Sequence, residues 1–187
     1  ASSVIAEGEV LQLVTANDTE TTEADYLEVI RSKTAKLFAA AAEIGAVVAE
    51  RPKDEWRALD AFGHNLGMAF QLVDDVLDYS ARQATLGKAV GDDFRDGKIT
   101  LPVVLAFNAA DAAEKAFWRR TLEDLEQKKS DFRRAVVMLE KSGALTATVE
   151  RAREYGLKAR QALEPFPDNE IKSALLEAVE FSIHRSY

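Results

Sequence analysis

The sequence predicts an all-α fold, a bundle of helices. Three observations carry this expectation. No stretch keeps the two-residue alternation of a strand, and apolar residues recur at helical spacing instead. Ala, Leu, Glu and Lys are abundant, and 187 residues contain only four prolines and nine glycines. No internal repeat interrupts the pattern, so one bundle is expected rather than an array.

The elements follow in order. Apolar residues at 5, 10, 11, 13 and 14 mark a short helix over Val4 to Val14, and Asn17 to Thr22 is polar and turn-like. Thr22 or Glu23 opens a long helical pattern running to about Glu50, where Ala35, Ala39 and Ala42 imply close helix packing. Arg51-Pro52-Lys53-Asp54 breaks it, with Asp54 as the N-cap of a helix from about Glu55 to Tyr79. A charged loop with Gly87, Gly91 and Gly97 comes next. Thr100-Leu101-Pro102 starts a helix over 101–108. Further helices are expected over 111–127, 130–141, 144–162 and 168–185, the last two divided by Pro165-Phe166-Pro167.

Charge excludes some functions. A net charge of −8 argues against a non-specific nucleic-acid binder, which needs a basic face. There is no cysteine, so disulfides, thiolate catalysis and Cys-based zinc sites are excluded. That absence fits a reducing compartment, and a cytoplasmic protein is expected. No apolar run reaches the roughly 18 residues of a membrane span. The start, Ala1-Ser2-Ser3-Val4, has no signal-peptide flank and no initiator Met, as expected of a chain that begins inside a longer one.

The helix before the loop carries the first chemical signal. Asp74 and Asp78 are four residues apart and share a face, with Gln71 one turn earlier and Asp75 beside them. Like charges at this spacing repel, and Phe70, Leu72, Val73, Val76 and Leu77 imply burial. A hard divalent cation that keeps water and shares phosphate oxygens would neutralise the cluster; a solvated acidic face is the plainer reading. Gly63 and Gly67 lie near the same stripe, for tight helix packing or to leave room for a long ligand.

The loop is the second signal. Gly87-Lys88 and Gly97-Lys98 bracket the acidic turn Gly91 to Asp96. Lysine ammonium groups suit phosphate oxygens, so with the carboxylates this is a candidate diphosphate site. Asp92 to Asp96 also spells Asp-Asp-x-x-Asp, but Gly91 and Gly97 frame it too closely for a second helical face. A third element is Lys33-Thr34 within a long helix. It offers either a snorkelling lysine or a cation and a hydroxyl donor aimed at the diphosphate.

Taken together, these residues resemble the trans-isoprenyl (polyprenyl) diphosphate synthase family. Phe70-Gln71 followed by Asp74-Asp75-Val76-Leu77-Asp78 looks like its second aspartate-rich motif. Gly87-Lys88 and Gly91 to Pro102 look like its Gly-Lys loop, and Lys33-Thr34 like its Lys-Thr motif. Glu7-Gly8-Glu9-Val10-Leu11-Gln12-Leu13 is similar to a segment of the octaprenyl, nonaprenyl and decaprenyl synthases. The family's first aspartate-rich motif and its N-terminal lysine and arginine have no match. Residues 1–187 are therefore expected to be the C-terminal portion of a single helical domain, inactive alone.

The resemblance implies a Mg²⁺-dependent prenyltransferase. An allylic diphosphate such as farnesyl diphosphate ionises, isopentenyl diphosphate attacks in a 1′-4 condensation, and a proton is lost. Repetition gives a long all-trans chain, for the ubiquinone side chain. It implies Asp74 and Asp78 for the metal with Asp75 in support, Asp93 through water, and Lys33, Lys88 and Lys98 for the diphosphate. Gln71 and Thr34 would face the reacting centre and Phe70 would line the isopentenyl pocket. A homodimer is implied, with no nucleic-acid partner and no transmembrane segment. Alternatives are a non-catalytic subunit of a heteromeric synthase, a farnesyl or geranylgeranyl synthase, a terpene cyclase (which carries an Asn/Ser/Glu motif instead of three aspartates), or a helical interaction module. His64 and His184 are read as packing or surface residues.

Overall fold

A computed structural model describes residues 2–80 and 90–185, and among these no strand occurs. Helix α1 (Ser2–Thr15) precedes α2 (Glu23–Ile30), which starts on a Thr22 N-cap whose capping box with Asp25 is complete. A five-residue π-helical turn, Arg31–Ala35, joins α2 to α3 (Lys36–Val48). Helix α4 (Lys53–Asp78) follows, then a single turn α5 (Asp92–Arg95) and α6 (Leu101–Ala109). Helix α7 (Ala112–Trp118) ends in a second π turn, Arg119–Glu123. The bundle closes with α8 (Asp131–Lys141), α9 (Ala144–Ala162) and α10 (Glu170–His184).

Two sequence expectations need correction. Asp54 does not cap α4. Pro52 takes that position in an extended conformation, its carbonyl accepting from Glu55 and Trp56, so the helix starts one residue before Asp54. Asp54 and Glu55 instead face the positive end of the helix dipole in the first turn. The helix expected over 111–127 also ends early, because Leu125 adopts φ 54° after the π turn. By contrast, α9 spans the expected 144–162.

Helix α4, about 39 Å long, is the axis of the bundle and packs along α3 on one side and α9 on another. Met68, Leu72, Val73 and Leu77 bury its C-terminal half against Leu101, Val104 and Trp118. Phe62 joins a smaller cluster with Leu163, Val179 and Ile183 that seats α10. The approach of α3 is unusually close. A Cβ at Gly63 would lie 2.3 Å from the Phe38 carbonyl oxygen, and one at Gly67 would lie 2.7 Å from the Ala35 Cα. Helix packing, of the two uses foreseen for these glycines, is the one they serve.

The π turn determines what meets that groove. In an unbroken α-helix Leu37 would continue the stripe of Tyr26 and Ile30. The five-residue step places Ala35 and Ala39 there instead, both buried, and leaves Leu37 58% exposed.

Gly63→Ala is expected to destabilise the fold by about 1–3 kcal/mol through overpacking. Gly45→Ala, with nothing within 4 Å of its Cβ, is expected to stabilise it by about 0.5–1 kcal/mol. Urea unfolding of the two variants measures the opposite signs.

Candidate functional site

A cleft of about 190 Å³ opens between α1, α2, the first π turn, α4 and the segment after α5. Lys33 and Thr34 come from the π turn, Gln71, Asp74 and Asp75 from α4, Asp93 from the Gly91–Gly97 turn, and Lys98 from the residue directly after it. Seven of the residues singled out from the sequence thus share one wall-to-wall site. Val29, Ile30 and Ile99 supply apolar lining.

Each cation has carboxylate company. Lys33 Nζ donates to Gln12 Oε1 at 2.6 Å and lies 3.2 Å from Glu9. Lys98 Nζ is 2.9 Å from Asp93 and 3.2 Å from Asp96. Partial burial works against the Lys98 ammonium, but the hydrogen bond and charge of Asp93, aided by Asp96, outweigh it, and its pKa is pushed up to about 12. Thr34 Oγ1 donates to Gln71 Oε1 at 2.9 Å, so its proton is already committed within the wall.

Asp74, Asp75 and Asp78 of α4 have three different environments. Asp74 is 52% exposed on its side chain and, among the described residues, pairs with Arg185 at 3.7 Å. Asp75 is 3% exposed and accepts from the Tyr26 hydroxyl and from Gln71 Nε2 (2.8 Å). Burial, then the charge of Asp93, pushes its carboxyl up to about 8 despite those two donors. Asp78 does not line the cleft. Its carboxylate accepts from the backbone N–H groups of Gly91 and Asp92 (both 3.2 Å) and Asp93 (3.0 Å), and burial with the nearby Asp93 charge raises its pKa. It is a cap supplied from 13 to 15 residues upstream.

That cap, with left-handed glycines at both ends (Gly91 φ 82°, Gly97 φ 66°), holds the turn as one compact unit. Phe94 buries beneath it against Phe132, and Gln127 donates to the Phe94 carbonyl at 2.7 Å. The expectation that these glycines allow no extended helical face holds: α5 is one turn long.

Phe70 lies outside the cleft lining, on a neighbouring face of α4. Its ring meets Phe38 at 5.5 Å and the Arg185 guanidinium at 3.9 Å. Lys88 lies outside the described residues. Sequence reasoning gave no role to Tyr26, Gln12 or Arg185. Tyr26 stands seven residues before Lys33, two helical turns away, which was the one available sign of it; Arg185 is 115 residues from the Phe70 carbonyl it donates to.

Among the described residues, no three His, Asp or Glu side chains converge into a ready cation cage. The donor chemistry nevertheless fits a hard divalent ion. Asp74 has free oxygen lone pairs towards the cleft, Asp78 and Asp93 lie nearby, and such ions complete their shell with water and phosphate oxygens.

Comparison with known proteins agrees with this chemistry. A family model described as polyprenyl synthetase matches residues 1–139. Octaprenyl diphosphate synthase of Haemophilus influenzae is 43% identical over 187 residues, all of this chain and 56% of that protein. A polyprenyl synthase from Caulobacter crescentus, solved with calcium and isoprenyl diphosphate, superposes with a TM-score of 0.95 at 49% identity, over 100% of this chain and 57% of the other. A decaprenyl diphosphate synthase from Rhodobacter capsulatus gives 0.94 at 45% identity, with the same shares. The chain spans a little over half the length of these relatives.

Because Asp78 caps the Gly91–Gly97 turn, Asp78→Ala is expected to cost about 1–2 kcal/mol in thermal unfolding with EDTA present. A purely metal-binding aspartate would instead gain stability on removal, since repulsion from Asp74 and Asp75 would be relieved.

Proposed function

The chain belongs to the polyprenyl synthetase family, and from this premise we propose that it serves the sequential 1′-4 condensation of isopentenyl diphosphate onto an allylic diphosphate such as farnesyl diphosphate. The product is a long all-trans polyprenyl diphosphate, destined for the ubiquinone side chain. The observation that carries the reading is the meeting of Lys33, Lys98, Thr34, Gln71 and Asp74 around one cleft from three separate segments. The long product is supported by relatives named for octaprenyl and nonaprenyl chains, at 38–43% identity. A geranylgeranyl synthase of Saccharolobus solfataricus stands at 32%.

In this reading Lys33 and Lys98 offer their ammonium groups to the oxygens of the leaving diphosphate, joined by Lys88. Mg²⁺ supplies further neutralisation of the same developing charge. Asp74 and Asp78 would hold it, Asp93 through water, with Asp75 supporting from behind. Thr34 and Gln71 face the reacting carbon. With its proton given to Gln71, Thr34 turns lone pairs towards the cleft, a polarity suited to a neighbouring allylic cation. Phe70 would meet an isopentenyl group beside the cleft, on the face it shares with Phe38. A cytoplasmic homodimer completes the proposal; no helix among the described residues is long and apolar enough to cross a membrane.

The full-length protein, incubated with Mg²⁺, farnesyl diphosphate and labelled isopentenyl diphosphate, is expected to yield a product of about eight to ten isoprene units, the range named by the long-chain relatives. A short product would retain the chemistry and discard the quinone assignment; no product would overturn both. Asp74→Ala is expected to lower turnover about a hundredfold or more with an unchanged far-UV circular dichroism spectrum.

A further inference from the structure

We propose that Tyr26 is a positioning residue: acting through Asp75, it locks the Gln71 carboxamide in the orientation that holds the Thr34 hydroxyl at the wall of the cleft. This rests on the condensation chemistry proposed above and deepens it.

The links are continuous. The Tyr26 hydroxyl bonds to Asp75 Oδ2, Gln71 Nε2 donates to Asp75 Oδ1 at 2.8 Å, and Thr34 Oγ1 donates to Gln71 Oε1 at 2.9 Å. Three elements contribute, α2, α4 and the π turn, and Tyr26 and Asp75 are 49 residues apart in sequence. The inner pair is sealed from solvent, at 4% and 3% exposure.

A carboxamide has a donor end and an acceptor end of nearly equal size, and only its partners decide which way it faces. The Asp75 oxygen selects the nitrogen of Gln71. That leaves the Gln71 oxygen for Thr34 and fixes which way the threonine proton points. Without the Tyr26 hydroxyl, Asp75 Oδ2 would be a buried oxygen lacking a donor. Asp75 would then turn towards the remaining donor, and the Gln71 amide would lose its fixed reference. A buried polar pair of this kind adds little net stability but selects one geometry. Asp75 therefore acts as a buried part of the cleft wall, while Asp74, one residue earlier, keeps its side chain half exposed at the opening.

The test compares full-length wild type, Tyr26→Phe, Gln71→Leu and the double variant, with folding checked by circular dichroism. Tyr26→Phe is expected to lower kcat about tenfold or more through misplacement of Thr34 and Gln71. KM for both diphosphates should stay within about twofold, because binding by the lysines is untouched. In the Gln71→Leu background, Tyr26→Phe should add no further loss. Wild-type turnover combined with a full kcat in Tyr26→Phe, or with losses that multiply, overturns the relay alone. A wild type that condenses nothing overturns the reaction and the relay with it. Should Tyr26→Phe not fold, Asp75→Asn asks the same question. A reduced kcat at an unchanged Mg²⁺ activation midpoint supports the relay; a shifted midpoint with full kcat at saturating Mg²⁺ makes Asp75 a ligand and overturns it.

Discussion

Helix α4 can lie against α3 and the Arg31–Ala35 turn only because positions 63 and 67 carry no side chain. The geometry of the cleft depends on that approach. It brings Thr34 within hydrogen-bond reach of Gln71, and one turn further along it leaves Asp74 facing the opening. The apolar residues on the far sides of α4 hold the helix in that register against α6 and α9. Core packing here therefore also sets the placement of the chemical groups.

The second organising feature is the way a mostly buried helix carries three aspartates within five residues. Each is accommodated differently. Asp74 keeps solvent, Asp75 is buried with two hydrogen-bond donors that offset part of its lost hydration, and Asp78 spends its charge on three backbone N–H groups. Repulsion that would be costly among three equivalent carboxylates is thereby offset by solvation, buried hydrogen bonding and capping.

Much of this was legible in the sequence where the signal is local. The Thr22 start of α2, the Pro102 start of α6 and the bounds of α9 follow from caps, proline and periodicity. The gathering of Lys33, Thr34, Gln71, Asp74 and Lys98 was legible as motifs in chain order. The partnerships were not. Tyr26 with Asp75, and Arg185 with Phe70, join positions 49 and 115 residues apart, and neither side chain advertises its partner. Nor does composition reveal that Asp78 would cap a turn beyond itself, because that depends on where Gly91 arrives in space. The π turns escaped for a similar reason: a five-residue step is favoured only once a neighbour rewards the altered phase.

That altered phase has a consequence for how the sequence can vary. A π turn is a helix holding one residue more than its hydrogen-bond ladder needs, and here the surplus rotates everything downstream by about 100°. Deleting one residue between Arg31 and Ala35 would keep the chain helical by every local measure. It would also leave the residues downstream in their present phase, with Ala35 still against Gly67 and Ala39 against Gly63, because the residue removed is the surplus one. Such a deletion would therefore spare the packing of α3 and fall on the turn itself, where Lys33 and Thr34 reach the cleft, so a lineage that lost the turn would keep its core and forfeit that placement.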